Sequence, residues 1–505
     1  MPSLNRMIAR NAFWTIGLRV FLRGVGLIST LILARLLTPQ DFGLVAMATA
    51  IHALLGVLSD FSFHIPLIQR PDLDRAHLNS AWTLQIMIGL VQAICLALIA
   101  RPAASFYGDS RLMPLILALV AIALIQAFRN IGVVMFQREM NFSKEFKLRA
   151  AKKLAAFFTT VSLALIYQSY WVLIAGMTSA ALAELILTYL MQPYRPSLCL
   201  KHSRELLSFS KWILLDKLLA FLFARGPDFL LGRTSGAAAV GLFSVSKDLA
   251  HLPTQELAQP VNKAVLPAYS RMNEKRGALQ QGYVDVIGMI VLLALPAGLG
   301  ICATADLLVP VLLGAKWADS VPLVELLALN GTVAAMLSNT NVIFWSMGRP
   351  HLNTYLSLAR LALVGPAMLI GAYHNGVLGV AMGYLFATIL MLPINLVLLH
   401  RTLDMQLRRF VSAVWRPVTA AIFMYGLLQA IILPTVADTA SLPSVVIAIV
   451  SGAALFIAAT LLFWILAGRP DGAEKKLMSV SAEKLKTHVP EAHTYLTRLI
   501  GYLKH

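Results

Sequence analysis

Residues Gly17–Thr30 read GLRVFLRGVGLIST, an apolar run of helical length interrupted by Arg19 and Arg23. A guanidinium near the centre of a bilayer costs at least ~2.5 to 3.5 kcal/mol on insertion scales, so an arginine there faces protein or water and not lipid. Residues four apart share one face of a helix. Extending that spacing gives a seam of Arg19, Arg23, Gly26 and Thr30, turned away from Phe21, Leu22 and Ile28.

The rest of the chain sets this seam in a membrane. With 505 residues, 58% of them hydrophobic and 13% charged, and a mean hydropathy of +0.74, there are too few polar residues to cover a soluble core. The basic start MPSLNRMIAR precedes an apolar stretch from Asn11 to Leu37 that is too long for a signal-peptide core and has no small-residue cleavage site, so it reads as the first membrane helix. Cys95, Cys199 and Cys302 match neither a metal spacing nor a disulfide framework.

Apolar stretches of spanning length fall near 12–37, 42–68, 80–100, 112–136, 150–167 and 171–192. A second set follows near 208–231, 237–268, 284–305, 321–347, 352–372 and 377–399, and a last pair near 417–433 and 443–467. The expected architecture is thus an all-α polytopic membrane protein of about fourteen helices. It divides into an N-lobe (1–205), a C-lobe (206–400), two extra helices (401–467) and a basic tail (468–505). The tail reads as a solvated segment, with an amphipathic membrane-surface or partner-docking helix as the alternative.

Lysine and arginine fix the expected orientation. Alternate loops, beginning with the N-terminus, hold 29 of the 42 basic residues, whereas the opposite loops hold Arg35, Arg101, Arg111, Arg233 and Lys316. Both ends are therefore expected in the cytoplasm of a bacterial inner membrane. The net charge of +18 follows mainly from topology and does not call for nucleic acid.

The chain also repeats itself. Trp14, Arg35, Gly43 and Leu44 align with Trp212, Arg233, Gly241 and Leu242 at a constant offset of 198, and Arg138 and Arg149 match Arg349 and Arg360 at 211. An offset spanning an even number of helices gives two parallel six-helix lobes around a central cavity, as in alternating-access carriers.

No Walker A loop, HExxH or GxSxG is present, and GVGLIS at Gly24–Ser29 lacks the third glycine of a dinucleotide fingerprint. DLD at Asp72–Asp74 has the form of a metal-binding DxD, but between Arg70 and Arg75 it reads as a solvated turn, and NFS at Asn141 falls on the expected cytoplasmic side. Neither catalysis nor a metal nor a cofactor is expected.

Charged and titratable residues gather in four helices. They are Arg19 and Arg23 in the first, His52, Asp60 and His64 in the second, Asp216, Lys217, Arg225 and Asp228 in the seventh, and Lys247, Asp248, His251, Glu256 and Lys263 in the eighth. The repeat relates the first two helices to the seventh and eighth. In the eighth, Lys247, His251, Thr254, Ala258 and Asn262 form a second seam at helical period. One reading pairs Asp60 or Asp216 with an arginine to lock helices together. The other lines a watery cavity, in which Arg19, Arg23, Lys217, Arg225, Lys247 and Lys263 receive an anion while His52, Asp60, His64, Asp216, His251 and Glu256 are candidates for proton or ion coupling.

Several separated motifs occur in order: ILARLLTPQDFGLVAMATAI from Ile32, LIQRPDLDRAHLNSAW from Leu67, FQREMNF from Phe136, SYWVLIAG from Ser169, LPAYSRM from Leu266 and LLGAKW from Leu312. With them the chain, over roughly 5–467, resembles the polysaccharide transporter family of the multidrug/oligosaccharidyl-lipid/polysaccharide exporter superfamily, and within it Wzx-type lipopolysaccharide and exopolysaccharide flippases. The resemblance implies two six-helix lobes in a V, a cavity lined by helices one, two, seven and eight, and two further helices. It also implies a substrate, an undecaprenyl diphosphate-linked oligosaccharide carried to the periplasmic leaflet, with polymerase and other biosynthetic proteins as partners. A drug or cation antiporter of the same superfamily would be expected to have an acidic cavity. A membrane glycosyltransferase or polymerase would be expected to have a long periplasmic loop, and the longest here, 306–320, is short.

Overall fold

The computed structural model describes residues 4–59, 67–68, 70, 72–203, 211–273, 275–436, 441–470 and 472–475. All regular structure among them is helical. The first part of the chain forms α1 (Leu4–Leu36), α2 (Pro39–Ser59), α3 (Arg75–Tyr107), α4 (Leu112–Ala127), α5 (Val134–Arg138), α6 (Phe142–Tyr167) and α7 (Trp171–Met191). Then come α8 (Lys211–Thr234), α9 (Gly236–Met272), α10 (Arg276–Leu312), α11 (Val321–Ser346), α12 (Pro350–Leu403), α13 (Leu407–Leu427) and α14 (Leu442–Leu466). A π-helical turn, Leu428–Ile432, extends α13.

Among the described residues, ten helices are long and apolar enough to cross a bilayer, eleven if α4 and Ile131–Arg138, bent by 65°, make one span. The protein is therefore a multi-pass membrane protein. The helices α8 and α9, where the charged residues gather, are not among the ten. At 54 residues, α12 would be roughly 80 Å long if straight, far beyond one crossing. It is broken at Asn375 and Gly376, where Gly376 takes φ 53° and ψ −128°. Its arms then fold back on each other so closely that a Cβ on Gly371 would lie 2.0 Å from the Gly379 carbonyl oxygen. The two apolar stretches 352–372 and 377–399 are these arms.

Local signals set the helix ends. Asp74 caps α3 by accepting the His77 N–H at 2.8 Å, a bond that holds its carboxyl below the ordinary range, and Gly108 at φ 70° ends the helix. Asn141 accepts the Lys144 N–H at 3.3 Å, so α6 starts at Phe142 instead of near 150. Lys147 and Arg149, outside the expected stretch 150–167, are helical.

The fold divides into two units. One comprises Met1–Val245, Leu313–Trp317 and Leu369–Val380; the other comprises Ser246–Leu312, Ala318–Met368 and Ala381–His505. Within the first, Leu33, Leu37, Ala164 and Val172 form one buried cluster. The second is centred on Tyr283, Ile287, Phe344, Met391 and Met424. Here Arg416 and Glu474, 4% and 5% exposed, face each other at 3.4 Å. The tail beyond Gly468 thus begins packed and not solvated; 476–505 lie outside the described residues.

Candidate functional site

The seam of α1 lies in the first unit. Arg19 is half-buried and Arg23 exposed, and Thr30 donates its hydroxyl to the Gly26 carbonyl at 3.1 Å. The helix is oriented by aromatic contacts: Trp14 and Phe21 lie 5.1 and 5.9 Å from Phe146 of α6. Phe21, expected on the side away from the seam, therefore also meets protein. Small Gly26 leaves room for a cation, since a Cβ there would sit 3.4 Å from Lys153 Nζ. Lys153 and Arg23 are close enough for their charges to repel.

Next to Lys153 on α6, Lys152 contacts Glu184 of α7, which also accepts from Arg129 Nη1 at 3.1 Å. One carboxylate thus shares two cations. Gln85 donates to the Ala127 and Arg129 carbonyls, both at 2.9 Å, satisfying backbone groups freed where α4 breaks.

The other singled-out residues occupy different surroundings. On α8, Lys217 is half-buried, and Arg225 pairs at 3.1 Å with buried Asp228, one turn away in its own helix. His52 of α2 is half-buried, and its Nδ1 has no hydrogen-bond partner. In the second unit Lys247 and Glu256 are half-buried and Lys263 is exposed. Asp60, His64 and the side chain of Asp216 lie outside the described residues.

The seam of α9 packs on α11. His251 is 3.4 Å from Asn330 and from Gln255, Asn262 donates to Ser338 at 2.7 Å, and Asn339 bridges Asn262 and Tyr269 at 2.9 Å each. Thr254 and Ala258 are buried between these contacts. This polar stripe ties two helices together through the middle of the unit.

The offset of 198 reappears as geometry within the first unit. A Cβ on Gly43 of α2 would lie 1.6 Å from the carbonyl oxygen of Ala237, and one on Gly241 of α9 would lie 1.8 Å from that of Pro39. Pro39 and Ala237 differ by the same 198, so the contact is reciprocal, as a two-fold relation requires. Beside it Trp317, fully buried, donates its indole N–H to the Ala34 carbonyl at 2.8 Å and meets Phe42 edge-on at 5.4 Å.

The second unit also holds a cavity of about 570 Å³ between α10, α13 and α14, lined by Leu292, Pro296, Leu428, Gly452 and Phe456, with Glu474 at its border.

Lys153 and Arg416 were missed because both were counted with the loop cations that set the orientation. Asn141, a helix-capping residue followed by Phe142 and Phe146 at i, i+4 spacing, was the signal for the earlier start of α6.

A family model described as "Polysaccharide biosynthesis protein" matches residues 32–322, more than half of the sequence. The chain belongs to this family. As a polysaccharide biosynthesis protein it is 25% identical over 424 residues to lipopolysaccharide biosynthesis protein WzxC of Escherichia coli, covering 82% of this chain and 85% of that one. To succinoglycan biosynthesis transport protein ExoT of Rhizobium meliloti it is 24% identical over 374 residues, covering 74% and 76%. Among solved structures, lipid II flippase MurJ in an inward closed conformation aligns with 91% of this chain and 100% of its own, at a TM-score of 0.71. At 13% identity that likeness shows a shared fold.

Proposed function

We propose that the protein is a flippase that carries undecaprenyl diphosphate-linked oligosaccharide repeat units from the cytoplasmic to the periplasmic leaflet for surface polysaccharide synthesis. The observation that carries this reading is the α1 seam of Arg19, Arg23 and Gly26, with Lys153 set against Gly26 and near Arg23, in a chain of the polysaccharide biosynthesis family. Guanidinium forks match the oxygens of a diphosphate, and the sugars need an aqueous path that the isoprenoid chain does not. The apolar cavity along α10, α13 and α14 offers that chain a berth within one unit.

Transport would proceed by alternating access of two repeat-related lobes in a fourteen-span, N-in, C-in topology. In that topology the Gly43–Gly241 contact and Trp317 lie at the periplasmic ends, so releasing substrate outward requires them to part. Lys217, Arg225, Lys247 and Lys263 would extend the positive surface. Proton or ion coupling, if used, falls to His52, Asp60, His64, Asp216, His251 or Glu256. An inside-negative potential already releases ~2.3 kcal/mol per 100 mV for each negative charge moved outward.

Deleting the chain from its host tests the reading. The expected result is loss of surface polysaccharide with lipid-linked repeat units accumulating on the cytoplasmic leaflet. Unchanged polysaccharide, with new sensitivity to cationic drugs, would instead establish an antiporter.

A further inference from the structure

We propose that Asp74, His77 and His202 form a binding site for a divalent transition metal of the zinc class, stapling the segment after α7 to the start of α3. One carboxylate oxygen and two imidazole nitrogens lie within 4.8 Å of one another. Two histidines and a carboxylate are a donor set that zinc accepts readily, with water completing four-coordination.

The second observation is the state of His77. Its side chain is 5% exposed and its Nδ1 is in contact with Asp74. The nitrogen that can share a metal with Asp74 is the Nδ1 already in contact with its carboxylate, so the ion would replace that contact and be ligated by both. The His202 ring stacks on His77 with centroids 3.7 Å apart and planes at 13°. Metal–ligand distances of about 2.0 to 2.2 Å require the donors to close by about 1 Å. Rotation of the half-buried His202 ring out of the stack supplies that movement.

The surrounding contacts show what the metal would fasten. Asn79 of α3 donates to Ser197 Oγ at 2.7 Å, the Cys199 N–H donates to Thr83 Oγ1 at 2.9 Å, and the His202 N–H donates to Ser80 Oγ at 3.2 Å. The segment is already laid along α3 by neutral hydrogen bonds. A metal at its far end would secure the link into the second half of the repeat.

The test uses the full chain in detergent, purified through a tag without histidine and equilibrated with Zn²⁺ alone. One zinc per chain is expected, together with a rise in melting temperature. With Co²⁺, the absorption of a four-coordinate nitrogen–oxygen site is expected. His77→Ala and His202→Gln should each weaken binding about 100-fold or more. Asp74→Asn keeps a side chain able to cap α3 and loses the charged donor, so it should fold normally yet bind weakly. Because His202 lies on a half-buried turn, His202→Gln remains informative even if His77→Ala fails to fold. Sub-stoichiometric zinc in the wild-type chain, or full zinc retention in His202→Gln and Asp74→Asn, would overturn the proposal.

Discussion

Alanine at both Arg19 and Arg23 is expected to abolish polysaccharide export, by about 100-fold or more, while leaving the amount of membrane-inserted protein unchanged. Each charge-assisted hydrogen bond contributes about 1.5 to 3 kcal/mol, so losing two at a diphosphate is enough. Insertion should be unaffected or improved, because two guanidinium groups leave the membrane segment. Lipid-linked repeats should accumulate on the cytoplasmic leaflet. Arg→Lys at both sites should restore export only in part, since an ammonium point charge replaces a planar fork. Lys153→Ala should give a milder defect of the same kind. If either arginine served only to pair with an acid such as Asp60 or Asp216, its removal would strand a buried carboxylate and lower folded protein instead. Measuring monodisperse extracted protein beside surface polysaccharide separates the two outcomes. Normal export at normal abundance from the double alanine variant would remove the binding role.

Valine at Gly43 or at Gly241 should be nearly as damaging, for a different reason. The first carbon of either side chain would fall 1.6 or 1.8 Å from a backbone oxygen, and a backbone cannot swing aside as a flexible side chain can. Either variant must push α2 and α9 apart and break the reciprocal contact. Because the contact is reciprocal, the two variants should behave alike, each with a lowered melting temperature. Gly17→Ala is the control. Nothing lies within 4 Å of a Cβ there, and alanine is favoured over glycine by about 1 kcal/mol inside a helix. Full stability in Gly241→Val, read by thermal unfolding in detergent, would show that the close approach is dispensable.

Hydropathy and charge made the helical membrane architecture legible, because lipid forces every backbone group into helices and long apolar runs mark them. The offset of 198 between Gly43 and Gly241 appears in the structure as a reciprocal close contact. Seams fared unevenly. Arg19, Arg23, Gly26 and Thr30 do share a face, but the eighth-helix seam through His251, Thr254 and Asn262 turned out to be used for packing on α11. Periodicity says that polar residues face the same way, not whether water or another helix lies opposite. Lys153 was hidden because it sits at the start of the apolar stretch, where a lysine reads as a loop cation, whereas the helix begins earlier at its Asn141 cap. Arg416 and Glu474 were hidden because their pairing joins residues far apart in sequence, which no local pattern reports.

The central claim is translocation of a lipid-linked oligosaccharide. Its most direct test is reconstitution of the purified protein into vesicles carrying an undecaprenyl diphosphate-linked saccharide. A membrane-impermeant reagent then reports how much saccharide is exposed on the outer leaflet. The account predicts that the wild-type chain makes saccharide from the inner leaflet accessible, and that the Arg19→Ala/Arg23→Ala variant, folded and reconstituted at the same density, does not. Equal accessibility in wild-type, variant and protein-free vesicles would contradict it.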